Sequence, residues 1–211
     1  MTEHHTMTDP RLWDAVAAER RSLHALLAQL PESAWDHPSL CEGWRVRDVV
    51  AHVVLSADAG LGWILRELVR ARGNFDRAIR DTAIRHADLT PTPELLAELH
   101  ATIPARTTAL GTTPADRLMD LLVHGQDIAV PLGMPYEMPT PSAQVALQRI
   151  WTQGAPFHAR KKLRGYRLVA TDRDWSGGAG ETIAAPVATL LMLVTGRIAV
   201  ADLDGSRGER G

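Results

Sequence analysis

The sequence predicts a mainly α protein: a helical bundle over residues 9–160, followed by a small C-terminal α+β segment over residues 161–205. Two observations carry this. Long stretches show apolar residues at helical spacing between proline and glycine boundaries, and past residue 165 the pattern changes to strand-like alternation around a Gly-Gly turn. No internal repeat is present.

Helix one starts at Asp9-Pro10, as cap and first residue, and runs to about Leu30 before Pro31. Leu12, Trp13, Val16, Leu23, Leu26, Leu27 and Leu30 form its stripe. A loop follows, PESAWDHPSLCEGW, whose Trp35, Leu40 and Trp44 are expected to plug the end of the bundle. The spacing of Val49, Val50, Val53, Val54, Leu61, Ile64, Leu65 and Leu68 predicts one helix from Val46 to about Arg72, closed by Gly73 and Asn74. Asn74–Asp88 is a weaker helical segment, and Thr92-Pro93-Glu94 starts another that Pro104 should interrupt.

The stretch Thr113–Gly133 has the clearest ends: Thr113 and Asp116 form a Thr-x-x-Asp box around Pro114, and Pro131 and Gly133 stop the helix. Thr140-Pro141 caps a further helix. Tyr166–Thr171 and Glu181–Ala185 read as strands about a turn-rich loop, Asp172–Gly180. Pro186 starts a final helix that ends at Gly196, and the tail DLDGSRGERG is expected to be mobile.

Composition narrows the function. A net charge of −2 with no long basic tract disfavours nucleic-acid binding. Apolar runs such as Ala184–Thr195 are too short to cross a bilayer, and MTEHHTMTDP lacks the apolar core of a signal peptide. A single cysteine permits no internal disulfide and suits a reducing cytoplasm. His4 and His5 read as a polar end.

Chemistry concentrates on two predicted helices. Asp120 and His124 stand four apart and share one face, with Asp127 three further on. His52 interrupts an apolar run between Val49/Val50 and Val53/Val54, where a ring nitrogen needs a partner. Either these are a core histidine and the polar edge of an amphipathic helix, or they converge. In the second case His52, Asp120 and His124 offer three ligands to one metal and leave a coordination position open, the pattern of a catalytic zinc site. Nickel, iron or manganese also suit the set. Asp127 is then the natural group to fix a ligand's tautomer. Cys41, near Arg45, Arg47 and His37, reads as a small buried hydrophobe rather than a nucleophile, and His24, His37, His86, His100 and His158 as filler.

The segment WDHPSLCEGWRVRDVVAHVV resembles the opening of the mycothiol-dependent maleylpyruvate isomerase family, within the DinB-like four-helix superfamily. DLLVHGQD resembles that family's acid-x-x-x-His-x-x-Asp segment, and RLVATDRDWSGGAGETIAAPVATLLMLVTGR resembles its C-terminal part. The likeness spans about Leu12 to Leu203. It implies an up-down-up-down bundle with a divalent metal, Zn2+ or another, on His52, Asp120 and His124. It also implies mycothiol or a similar thiol as co-substrate and a small electrophilic substrate, in a monomer or homodimer acting as an isomerase or S-transferase. The family's C-terminal arginine corresponds to Arg197, a catalytic group for a substrate carboxylate. One departure stands out: the family usually has Glu where this chain has Asp120, one methylene shorter. A non-catalytic metal-stabilised binding module and a metal-dependent hydrolase, with Asp127 as base, are the competing readings.

Overall fold

The computed structural model describes residues 9–57, 61–108 and 111–205. His4, His5 and residues 206–211 of the tail lie outside the described residues, as do the side chains of Leu61, Ile64 and Leu65. The fold is mainly α with a small sheet near the C-terminus, as the sequence predicts. Contacts divide the chain into two compact units, Met1–Glu137 and Met138–Gly211, upstream of the boundary expected near residue 160.

In the first unit, α1 (Asp9–Leu27), α2 (Val46–Ala57), α5 (Thr92–Thr102) and α6 (Pro114–Ala129) form a closed ring of packed helices. In it α1 meets α5 and α6, and α2 meets the same two. Two further helices, α3 (Leu61–Arg70) and α4 (Phe75–Leu89), pack on each other, and α4 also covers α2. Leu23, Val49, Val50, Leu95, Leu99, Leu118 and Leu122 have no exposed surface and form the core. Burying such side chains is the main drive for closing the ring, at about 1.5–3 kcal/mol each.

Most boundaries follow the sequence signals. Both hydrogen bonds of the capping box at the start of α6 are present. Asn74 accepts a hydrogen bond from Arg77 N–H and caps α4. α2 and α3 both lie within the helix expected from Val46 to Arg72, and residues 58–60 between them lie outside the described residues. Two expectations change. α1 ends at Leu27, after which Gln29 and Leu30 N–H groups close tighter turns on Leu26 O and Leu27 O before Pro31. Within the loop, a 3-10 turn over Glu32–Asp36 buries Trp35, but Leu40 is exposed, so only part of the expected plug forms.

In the second unit, α7 (Thr140–Thr152) packs on α9 (Val187–Thr195), a helix so short and apolar that it is buried almost all round. Asp172 Oδ1 accepts from the first N–H of α9, doing the capping that Pro186 cannot. A short helix, α8 (Ala159–Lys162), leads into the sheet. Strand β1 (Gly165–Ala170) is central, antiparallel to β2 (Ser176–Gly178) and parallel to β3 (Gly180–Ala185), with Leu168 opposite Gly177 and Ile183. β2 falls inside the segment expected to be loop; at three residues it is too short to show alternation. Gly180 takes φ +124 against the Gly165 carbonyl, a place no side chain fits. A last helix, α10 (Val200–Gly205), occupies part of the expected mobile tail.

Candidate metal centre

α2 and α6 bring the sequence-predicted residues together. His52 Nε2 lies 3.5 Å from Asp120 Oδ1, and His124 Nε2 lies 3.4 Å from the same oxygen. The two imidazoles meet edge to face, with centroids 4.9 Å apart. All three side chains retain a little solvent access, 17%, 19% and 13% for His52, Asp120 and His124. Burial alone would raise the Asp120 carboxyl, but the His52 and His124 imidazoles hold it well below its ordinary range. Burial likewise works to lower His124, yet Asp120 first, then Asp127 and Cys41, carry it well above the usual imidazole value.

A second group lies behind His124. Asp127, fully buried, faces His124 Nδ1 at 2.9 Å and accepts from the Cys41 thiol at 3.0 Å, while Cys41 Sγ stands 3.7 Å from His124 Nδ1. The loop carrying Cys41 is fastened to α6 by its backbone: Leu40 N–H donates to Asp127 O at 3.0 Å. An antiparallel bridge between Pro38 and Arg45 shapes that loop. It also sets Trp44 beside the centre, 5.4 Å from the His52 ring and 6.2 Å from the His124 ring.

Both groups contain three potential ligands, and their spacings separate them. Metal–nitrogen and metal–oxygen bonds of about 2.0–2.2 Å at tetrahedral angles put donor atoms about 3.3–3.5 Å apart. The Asp120-to-histidine separations match. A thiolate and a carboxylate on one zinc would stand about 3.6 Å apart. The 3.0 and 2.9 Å contacts of Asp127 are instead the lengths of hydrogen bonds. The donor set His52, Asp120 and His124 therefore fits a divalent ion. Asp127 fits the role of holding the proton on His124 Nδ1, which leaves Nε2 free to ligate.

The remaining polar side chains sort by element. Ser56 of α2 and Arg117 of α6 flank the second oxygen of Asp120 at 3.4 and 4.0 Å; nothing in the spacing of apolar residues singled them out. Cys41, read as a small hydrophobe, has a polar partner across 86 positions of sequence, a relation no local pattern encodes. His37 faces Pro38 O, and Arg45 pairs with Asp48 and Asp88. His24 packs on His100 and His86 on Glu98, each from a neighbouring helix. Arg197 follows Gly196 at the end of α9, and its Nη1 donates to Thr195 O at 3.0 Å.

The family model of the mycothiol maleylpyruvate isomerase N-terminal domain matches residues 16–129, more than half of the 211. The chain belongs to this family. Members are thus expected to share the α1–α6 framework just described, since the matched span contains all of α2 to α6 and most of α1. A crystal structure of a mycothiol-dependent maleylpyruvate isomerase superposes with TM-score 0.62 at 16% identity, covering 95% of this chain and 94% of that one. A histidine-to-alanine mutant of that enzyme gives TM-score 0.62 at 15% identity, over 94% and 93%. At such identities the likeness speaks for the fold of this family member. No curated protein matches the sequence. Among the described residues no helix is long and apolar enough to cross a membrane.

Proposed function

We propose that this family member is a divalent-metal-dependent, thiol-using enzyme of the maleylpyruvate isomerase kind, with mycothiol or a similar low-molecular-weight thiol as co-substrate. The carrying observation is the trio of His52 Nε2, Asp120 Oδ1 and His124 Nε2, spaced as ligands of one ion and still reached by solvent. Three protein ligands suit a catalytic ion, zinc in the first place. When bound, such an ion supplies Lewis acidity, lowering the pKa of a coordinating thiol.

The chain's own residues prepare that chemistry. Asp127 holds the Nδ1 proton of His124, so one tautomer and one ring orientation prevail. The Trp44 indole gives the centre an apolar wall beside both imidazoles. The Cys41 thiol is engaged by Asp127, which leaves nucleophilic attack to the co-substrate. Arg197 is the group proposed to receive a substrate carboxylate. In an isomerisation the thiol sulfur adds to a cis double bond, the resulting single bond rotates, and elimination returns the thiol with the trans product. Retention of the thiol would make the same centre an S-transferase. The hydrolase reading needs Asp127 as a base at the open position; its bonds to His124 Nδ1 and Cys41, on the ring edge opposite Nε2, speak against it.

The test is elemental analysis with a mycothiol-dependent isomerisation assay. The wild type should carry about one zinc or similar ion per chain, and His124→Ala almost none, with helical circular dichroism retained and turnover lost. Equal metal in both proteins would reject the assignment. Arg197→Met should raise KM for a carboxylate substrate at least about 10-fold while metal content stays unchanged; an unaltered KM would remove Arg197 from the site.

A further inference from the structure

Asp120 can offer one oxygen or both to an ion, and its surroundings are not symmetrical. Oδ1 faces the two histidine Nε2 atoms at 3.4 and 3.5 Å. Oδ2 faces the other way, with the Ser56 hydroxyl at 3.4 Å and Arg117 Nη1 at 4.0 Å. Arg117 retains only 11% of its side-chain exposure, and its Nε is buried without a hydrogen-bond partner among the described residues. A guanidinium in that position has lost much of its hydration, which favours keeping an anion beside it. Its Nη1 also donates to Ser56 O at 2.9 Å, tying α6 to the last turn of α2, the helix that carries His52. The Ser56 hydroxyl proton can serve Val53 O at 3.0 Å or Asp120 Oδ2 at 3.4 Å.

We propose that Arg117, seconded by Ser56, is a positioning residue that holds Asp120 Oδ2 away from the ion and so makes Asp120 a one-oxygen ligand. The inference rests on the metal reading of His52, Asp120 and His124. Its consequence is a lower coordination number: with Oδ2 engaged by Arg117, the ion keeps room for a small-molecule ligand. Without Arg117, Oδ2 is free to turn toward the ion and fill that room.

A purely structural reading competes, because Arg117 also donates to a backbone carbonyl of α2 and so ties α6 to it. Loss of that bond lowers stability and leaves the ligand geometry alone. Cobalt(II) loading distinguishes the two, since four-coordinate cobalt absorbs visible light several-fold more strongly per ion than five- or six-coordinate cobalt. Arg117→Met, Arg117→Lys and Ser56→Ala are loaded with cobalt and compared with wild type by visible absorption, cobalt affinity and thermal melting. The expected result is a several-fold weaker band per bound ion in Arg117→Met and recovery in Arg117→Lys. A smaller loss is expected in Ser56→Ala, which changes too little to unfold the chain. Affinity should shift by about 10-fold, the scale of a lost outer partner. Unchanged bands in Arg117→Met and Ser56→Ala, whatever their melting points, would overturn the proposal while leaving the metal reading intact. A wild type that takes up no cobalt would overturn both.

Discussion

His124 has two edges that work differently. On the Nε2 edge, Asp120 stands 3.4 Å away and His52 joins it from α2, at separations too long for good hydrogen bonds and right for ligands around an ion. On the Nδ1 edge, Asp127 is at 2.9 Å, fully buried and shared with Cys41. The residue types are nearly the same on both sides. The difference of about half an ångström separates a spacing that suits a shared proton from one that suits a metal ion. Composition alone does not define a metal site; the gap does.

The largest change to this two-sided arrangement should come from Asp127→Asn. Asparagine keeps the shape but loses the charge that stabilises the Nδ1 proton, so metal affinity should fall about 10–100-fold. Competition with a chelator measures it; an affinity within twofold of wild type would detach Asp127 from the centre.

A second buried carboxylate sharpens the contrast. Glu19, on α1, is 2% exposed, and it accepts a hydrogen bond from Tyr136 Oη at 3.3 Å. Burial pushes its pKa up to about 7, only partly offset by that hydrogen bond. The folded chain therefore holds a proton there that the unfolded chain releases near pH 4.5. Stability should fall as pH rises through 7, by about 1.4 kcal/mol between pH 6 and pH 8. Glu19→Gln should flatten that part of a urea-unfolding profile. A wild type whose stability rises over this interval by the same amount would contradict the sign.

The smallest effect belongs to Cys41→Ala. It removes one thiol donor from Asp127 but leaves the charge and the Leu40 backbone bond, so metal affinity should drop only about 3-fold, the worth of a weak hydrogen bond. A loss as large as that of Asp127→Asn would mean that the thiol itself is a ligand.

The sequence made the frame of this centre legible for a simple reason. A four-residue offset on a helix fixes a shared face, so Asp120 and His124 could be paired before any fold was known, and a histidine inside the apolar run of α2 needed a polar partner. Asp127, one more turn along α6, followed from the same geometry. Capping chemistry fixed the start of α6 to the residue. What stayed hidden depends on contacts between distant elements. Cys41 reaches Asp127 only because the Pro38–Arg45 bridge turns the loop over the end of α6. Arg117 and Ser56 matter through the second oxygen of Asp120, and no periodicity marks which oxygen of a carboxylate faces inward.

The bond from Leu40 N–H to the Asp127 carbonyl joins main chain to main chain. Such a rivet is blind to the letters written around it. Leu40 and Glu42 face water, so the rim beside Trp44 can be respelled without unseating Cys41 or the helix beneath. A change of appetite in this scaffold, toward bulkier or more polar molecules, has an inexpensive place to begin.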